Sequence, residues 1–250
     1  MTTPTILITG GTGKFGRCFV EYFCRKGWQV IFTSTSGERA KGLEVEMGQG
    51  ASGLVCDLMQ HESGIRLVEE LQHRQISVNH LVNNARSLAF LQMDEAGVTQ
   101  REHFLSEYLM DVVVPYELSI ALWQAQPKAL ETITNISSQY GVVAANPELY
   151  DDYYRQSAIQ YGVAKAGLNH LTKELAVRLA PDGIRVNAIA YGGVEGRVDD
   201  GFRTRYGRLV PMGRMLKETE LTGPLDFLVS EQSSAMTGQV VQPDGGWTLW

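Results

Sequence analysis

Short runs rich in β-branched residues alternate along the chain with longer stretches in which apolar residues recur every three or four positions. The runs are Thr5-Ile6-Leu7-Ile8, Gln29 to Thr33, Gly53 to Cys56, His80-Leu81-Val82, Thr132 to Ile136, Ile184 to Ile189 and Gly238 to Val241. Runs of this kind, rich in Val, Ile and Thr, predict strands. Strands separated by helix-length segments pair in parallel through right-handed crossovers. The expected fold is therefore α/β: a doubly wound parallel sheet of about seven strands with helices on both faces. Two helices should be long. One covers about 99–126 with Thr99 as its N-cap, and the other about 155–179, stopped by Pro181 and Gly183. No Pro/Ser/Gly-rich linker or repeat divides the chain, so a single domain over 1–250 is expected.

Composition narrows the function classes. Lys and Arg number 22 against 28 Asp and Glu, a net charge of −6, which argues against a dominant nucleic-acid partner. With 44% hydrophobic and 20% charged residues the chain can bury a full core. No window nears the roughly 18 apolar residues of a spanning helix, and Met1-Thr2-Thr3-Pro4 has no basic leader, so a cytoplasmic protein without a membrane partner is expected. Cys18, Cys24 and Cys56 lack metal-ligand spacing. They are read as reduced thiols, and no metal is expected.

Candidate chemistry begins at Thr9-Gly10-Gly11-Thr12-Gly13-Lys14-Phe15-Gly16, which follows the first strand and opens a helix. Glycines let backbone approach a pyrophosphate, and free N–H groups at a helix start favour negative charge, so a Rossmann-type dinucleotide site is expected over Gly10, Thr12, Gly13, Lys14, Phe15 and Gly16. After the second strand, Thr33-Ser34-Thr35-Ser36-Gly37-Glu38-Arg39 offers hydroxyls at Ser34 and Thr35 with Lys14 and Arg39 nearby. That set suits a 2′-phosphate, so NADP is preferred over NAD; Glu38 keeps NAD open. Asp57 and Leu58 follow the third strand, where Asp57 either reaches adenine or caps a turn.

Tyr161 and Lys165 stand at i and i+4, on one face of the second long helix. A phenol is a poor acid or base near neutrality, and an adjacent ammonium stabilises its anion. Tyr22 and Lys26 share the spacing but lie at the far end of the first helix, away from the carboxyl ends of the strands where ligands bind. Asn135-Ile136-Ser137-Ser138 ends the fifth strand and brings a serine hydroxyl to that edge.

Along nearly its whole length the chain resembles the short-chain dehydrogenase/reductase family. The resemblance rests on the glycine loop, Asn83-Asn84-Ala85, Ser138 with Gln139-Tyr140-Gly141, Tyr161 with Lys165, Asn187-Ala188-Ile189 and Pro243-Asp244-Gly245-Gly246-Trp247. It implies a nicotinamide cofactor contacted also by Asn84, Ala85, Tyr161, Lys165 and Val194. It further implies Tyr161 as acid/base, Lys165 supporting its anion and Ser138 polarising the carbonyl, with Ser137 as rival. The chain departs from the pattern at Lys14 and Arg86, each in place of a glycine, at Tyr191 in place of a proline, and at Asp111, where the family has an active-site asparagine. Asp111 is counted with the catalytic residues because the main-chain carbonyl that serves in the family is retained.

The substrate should be bordered by Gln139 to Gln160, a long insert rich in tyrosine and carboxylates, and by a lid at about 194–217. The lid carries Arg197, Arg203, Arg205, Arg208, Arg214 and Lys217 against Glu195, Asp199 and Asp200. Its basic excess points to an anionic or polyhydroxylated, sugar-like substrate, as in surface-sugar pathways; salt bridges to another subunit are the alternative. Ser138, Tyr140, Arg86, Tyr154, Arg197 and Arg203 are the expected substrate contacts. Other readings are a 3-oxoacyl-thioester reductase, and a non-catalytic nucleotide-binding or interaction protein on the same fold. The apolar ending Trp247-Thr248-Leu249-Trp250 predicts a homo-oligomer, tetramer or dimer.

Overall fold

The computed structural model describes residues 3–196 and 198–250. In chain order the elements are β1 (Thr5–Ile8), α1 (Lys14–Arg25), β2 (Gln29–Ser34), α2 (Gly37–Met47), β3 (Ala51–Val55), α3 (Ser63–His73), β4 (His80–Asn83), α4 (Arg101–Tyr108) and α5 (Val114–Ala125). They continue with β5 (Thr132–Ser138), α6 (Tyr153–Gln156), α7 (Ile159–Leu179), β6 (Arg185–Tyr191), α8 (Asp200–Leu209), α9 (Thr222–Val229) and β7 (Val240–Val241). The seven strands form one parallel sheet in the order β3-β2-β1-β4-β5-β6-β7. This is the expected doubly wound arrangement, with the strand order reversing between β1 and β4.

Every residue of β1, β4 and β5 is buried, the polar ones of β4 and β5 included. One core layer packs Leu7, Leu81 and Ile133 of the sheet against Leu71, Leu118 and Leu175 of α3, α5 and α7. The other packs Ile6, Ile8, Val30 and Ile189 against Phe19 and Phe23 of α1 and Leu225 and Leu228 of α9. A third, smaller cluster holds Leu149, Tyr206, Val210, Met215 and Trp247 beside the carboxyl edge. Two amides inside the sheet are paired: Asn83 Nδ2 donates to Asn135 Oδ1 at 2.8 Å, and Asn135 Nδ2 to Thr172 Oγ1 of α7 at 2.9 Å. That chain of amides fixes α7 against β5.

The two long helices differ from expectation at their starts. α7 begins at Ile159, because Asp152 caps a separate short turn, α6, whose helix stops at Gln156. The helix expected from Thr99 begins at Arg101, while Thr99 Oγ1 donates to Gln160 Oε1 at 2.7 Å. It is also interrupted, since Leu109–Val113 forms a π turn in which the Val114 N–H reaches back to Leu109 O. Pro115 has no N–H to close an α-type bond onto the Asp111 carbonyl, and the helix widens there.

Candidate active site

A cleft of about 1020 Å³ opens at the carboxyl ends of the strands. Its floor is the glycine loop. Gly10 has φ +66°, and a Cβ there would sit 2.9 Å from Ala85 Cα. A Cβ on Gly16 would lie 2.2 Å from Gly10 O, so only glycine lets α1 start this close beneath the loop. Gly13, the N-cap of α1, provides no side-chain cap, and the first N–H groups of α1 are left for another acceptor. Asn84 Nδ2 donates to Thr9 O at 2.8 Å, while Thr9 Oγ1 accepts from the N–H groups of Asn84 and Ala85. These bonds tie the loop to the end of β4. A concave strip of backbone donors, emptied by glycine at its closest points, fits a dinucleotide pyrophosphate.

Of the cofactor residues expected from sequence, Gly10, Thr12, Gly13, Lys14, Phe15, Gly16, Ser34, Thr35, Asp57, Leu58, Asn84, Ala85, Tyr161, Lys165 and Val194 all line this cleft. Their local roles vary. Thr12 Oγ1 meets Ser34 Oγ at 3.0 Å, and Arg39 reaches Thr12 O. Both oxygens of Asp57 are engaged by Met59 N–H and Gln60 Nε2, so it caps its own turn as well as bordering the cleft. Lys14 bends away from Ser34 and Thr35. Its Nζ donates to Glu195 O and lies 3.4 Å from Glu218, which leaves Arg39 as the cation beside the β2 hydroxyls.

At the other end, α7 presents Tyr161 and Lys165 to the same cleft as Ser138, the last residue of β5. Ser138 Oγ accepts from Tyr140 N–H at 3.2 Å, whereas Ser137 Oγ donates to Lys165 O at 3.4 Å and is spent on α7. Lys165 is buried. Its Nζ donates to Ile136 O at 3.0 Å, pairs with Asp111 at 3.0 Å, and lies 5.9 Å from the Tyr161 ring centroid. The π turn thus delivers Asp111 directly behind Lys165. Arg86 reaches over the other side, with Cζ 4.7 Å from the Tyr161 ring.

The substrate side is walled by Tyr140, Tyr150, Phe202 and Tyr206, with Leu88, Phe90 and Met215 completing it. Tyr140 and Tyr150 join hydroxyls at 2.9 Å, and burial pushes both phenols up, so they stay protonated. Tyr206 donates to Gln139 Oε1 and accepts from Gly193 N–H, and burial pushes it up to about 12. Among the expected substrate contacts, Ser138, Tyr140 and Arg86 line the cleft, while Tyr154 and Arg203 do not. Tyr154 is 76% exposed, Arg203 pairs with Asp200 on the outer face of α8, and Arg197 lies outside the described residues. The other lid cations are also partly spent: Arg205 on Leu149 O and Asp151, and Arg214 on Glu220.

Sequence reasoning counted Tyr150 in the insert expected to border the substrate; it passed over Phe202 and Tyr206, which meet Tyr150 and Gln139 across more than fifty positions, and over Glu107. Glu107 lies one turn before Asp111, is fully buried, and has its carboxyl pushed up to about 7 by burial and by Asp111. Its spacing from Asp111 was the available signal.

A protein-family model described as Enoyl-(Acyl carrier protein) reductase matches residues 14–248. A 3-oxoacyl-(acyl-carrier-protein) reductase of Aquifex aeolicus is 30% identical over 96% of this chain and 95% of its own length. A probable galactose dehydrogenase of Rhizobium meliloti is also 30% identical, over 96% and 93%. Among solved structures, a short chain dehydrogenase from Leptospira borgpetersenii with bound NAD+ superposes with a TM-score of 0.85 at 27% identity, covering 99% of this chain and 94% of the other.

Proposed function

The chain belongs to the short-chain dehydrogenase/reductase family of oxidoreductases, and from that premise we propose that it interconverts a carbonyl and a hydroxyl on a small substrate. The observation that carries the reading is the convergence of Ser138, Tyr161 and Lys165 in the cleft whose floor is the glycine loop. A nicotinamide dinucleotide held over Gly10 to Gly16, Asn84 and Val194 would supply or accept the hydride. The Tyr161 hydroxyl gives a proton to the substrate oxygen in reduction and takes one in oxidation. Ser138 donates a hydrogen bond to that oxygen. Lys165 keeps a positive charge beneath the Tyr161 ring, locked by Asp111 and Ile136 O.

NADP is the preferred cofactor, because Ser34, Thr35 and Arg39 line the cleft at the end of β2 while Glu38 does not. The substrate reading favoured is a polyhydroxylated or anionic, sugar-like carbonyl compound, supported by the paired Tyr140 and Tyr150 hydroxyls and by Arg86 over Tyr161. A 3-oxoacyl thioester is the second reading, favoured by the apolar strip of Leu88, Phe90 and Met215. Leu249 and Trp250 remain 73% and 76% exposed, and their cover is proposed to be another copy of the chain, in a dimer or tetramer. Trp247, by contrast, stacks on Tyr206 at 4.6 Å within its own chain. Among the described residues no helix is long and apolar enough to cross a membrane, and a cytoplasmic site of action is proposed.

Fluorescence titration with NADPH and NADH tests the premise. Tighter binding of NADPH is expected, with the preference cut about tenfold, or about 1.4 kcal/mol, in Arg39→Ala. Binding of neither nucleotide would overturn the enzymatic reading in favour of a non-catalytic role. A screen of keto sugars against acetoacetyl thioesters then separates the two substrate readings.

A further inference from the structure

Glu107 is wholly buried, yet neither of its carboxylate oxygens has a hydrogen-bond partner among the described residues. An ionised carboxylate in that position would be left without a donor, a costly state for a buried charge. The charged groups that face it are Asp111 on its own helix, Lys165 on α7 and Arg86 from the loop after β4; the Tyr161 phenol lies beside the last two. Lys165 is committed to Asp111 and Ile136 O, and among the described residues no guanidinium lies within bonding distance of Glu107. One of the Asp111 oxygens likewise lacks a hydrogen bond, although it sits 3.0 Å from the Lys165 ammonium. Two neighbouring buried carboxyl groups that share one ammonium cannot both ionise cheaply, and a proton held between them removes the conflict.

We propose that Glu107 is a positioning residue for proton transfer, holding a proton shared with Asp111 and thereby setting the net charge around Tyr161. With the proton in place, Arg86, Lys165, Asp111 and Glu107 sum to one positive charge. That charge favours the anionic oxygen Tyr161 carries after giving its proton to substrate. When Glu107 ionises the sum falls to zero and the support is withdrawn. Burial first, then the negative charge of Asp111, place this change near neutral pH, against the opposing pull of Arg86 and Lys165. No bond is made or broken by Glu107 itself. Its effect on Tyr161 rests on the dehydrogenase reading; its protonation does not.

The test uses 13C NMR of the full chain labelled at Asp and Glu carboxyl carbons, titrated from about pH 5 to about pH 9 without cofactor or substrate. One resonance of the wild type should titrate near neutrality. It should be missing in Glu107→Gln, and should move to lower pH in Asp111→Asn, where burial still acts but the neighbouring negative charge is gone. If every carboxyl group of the wild type has finished titrating below about pH 5, the proposal is overturned, with no variant needed. The result is independent of nicotinamide binding, so it can fail while the enzymatic reading stands, and the reverse. With an active substrate from the screen, kcat/KM of the wild type should bend near neutral pH, and Glu107→Gln should lose that bend with KM changed less than about twofold. An identical bend in Glu107→Gln would refute the coupling to Tyr161.

Discussion

Replacing Asp111 by Leu should cost more stability than almost any other single change near the cleft. The Lys165–Asp111 pair is 3.0 Å apart, with side chains 5% and 1% exposed, so solvent screens it little. At that separation an effective dielectric of about 20 gives an attraction on the order of 5 kcal/mol, offset by desolvation of both ions. Removing only the carboxylate leaves the desolvation cost of the ammonium in place. Unpaired buried charges of this kind cost about 3–5 kcal/mol. For a chain of this length the melting temperature should fall by about 6–20 °C. The double variant Asp111→Leu with Lys165→Met removes both charges and should recover most of the loss, since an apolar replacement of a whole buried pair is close to neutral. Thermal and urea melts of the two single variants and the double give the coupling directly. A single-variant loss below about 1 kcal/mol, or a double variant no more stable than Asp111→Leu, would show that the pair does not hold Lys165 in place.

Three further outcomes are expected. Tyr161→Phe should lower kcat by about 100- to 10,000-fold while NADPH still binds; a smaller drop in a steady-state assay would remove Tyr161 from the proton-transfer role. Gly16→Ala introduces a Cβ 2.2 Å from Gly10 O and should weaken NADPH binding at least about tenfold, and an unchanged Kd would contradict the cradle. His80 is buried between Thr132 and the Trp28 ring, and desolvation, aided by Arg185 and Lys26, pushes it down to about 4. The unfolded chain therefore takes up a proton first as pH falls. The stability contribution is complete above about pH 6.5 and is lost toward about pH 4, by about 3 kcal/mol. His80→Gln should flatten that part of the melting-temperature profile, and an unchanged slope would assign the acid loss to other groups.

Much of the fold was legible because its signals are local. Runs rich in β-branched residues mark strands wherever they lie in a sheet, and the seven runs became its seven strands. The glycine loop could be read because backbone that must approach a ligand excludes side chains, and the Tyr161/Lys165 pair because i, i+4 is a property of the helix itself. The break in the long helix was also written locally, in Pro115, but periodicity treats a proline after the first turn as part of an apolar stripe.

The site residues that were hidden depend on partners far along the chain. Lys14 looked available for a ribose phosphate until the segment around Glu195 was placed over it, 181 positions away. Arg203, Arg205 and Arg214 looked like a basic lid, yet each finds a carboxylate in the folded chain. Glu107 carries no signal in the sequence beyond its spacing from Asp111, and its burial exists only once α4 packs on α7. Backbone sterics and helix periodicity act over a few residues, so the strands, the loop that can cradle a dinucleotide and the pairing of Tyr161 with Lys165 are written in the chain. Which charges remain free and which carboxyl group must keep a proton follow from folding, because burial and Coulomb energy depend on distances that the order of residues does not contain.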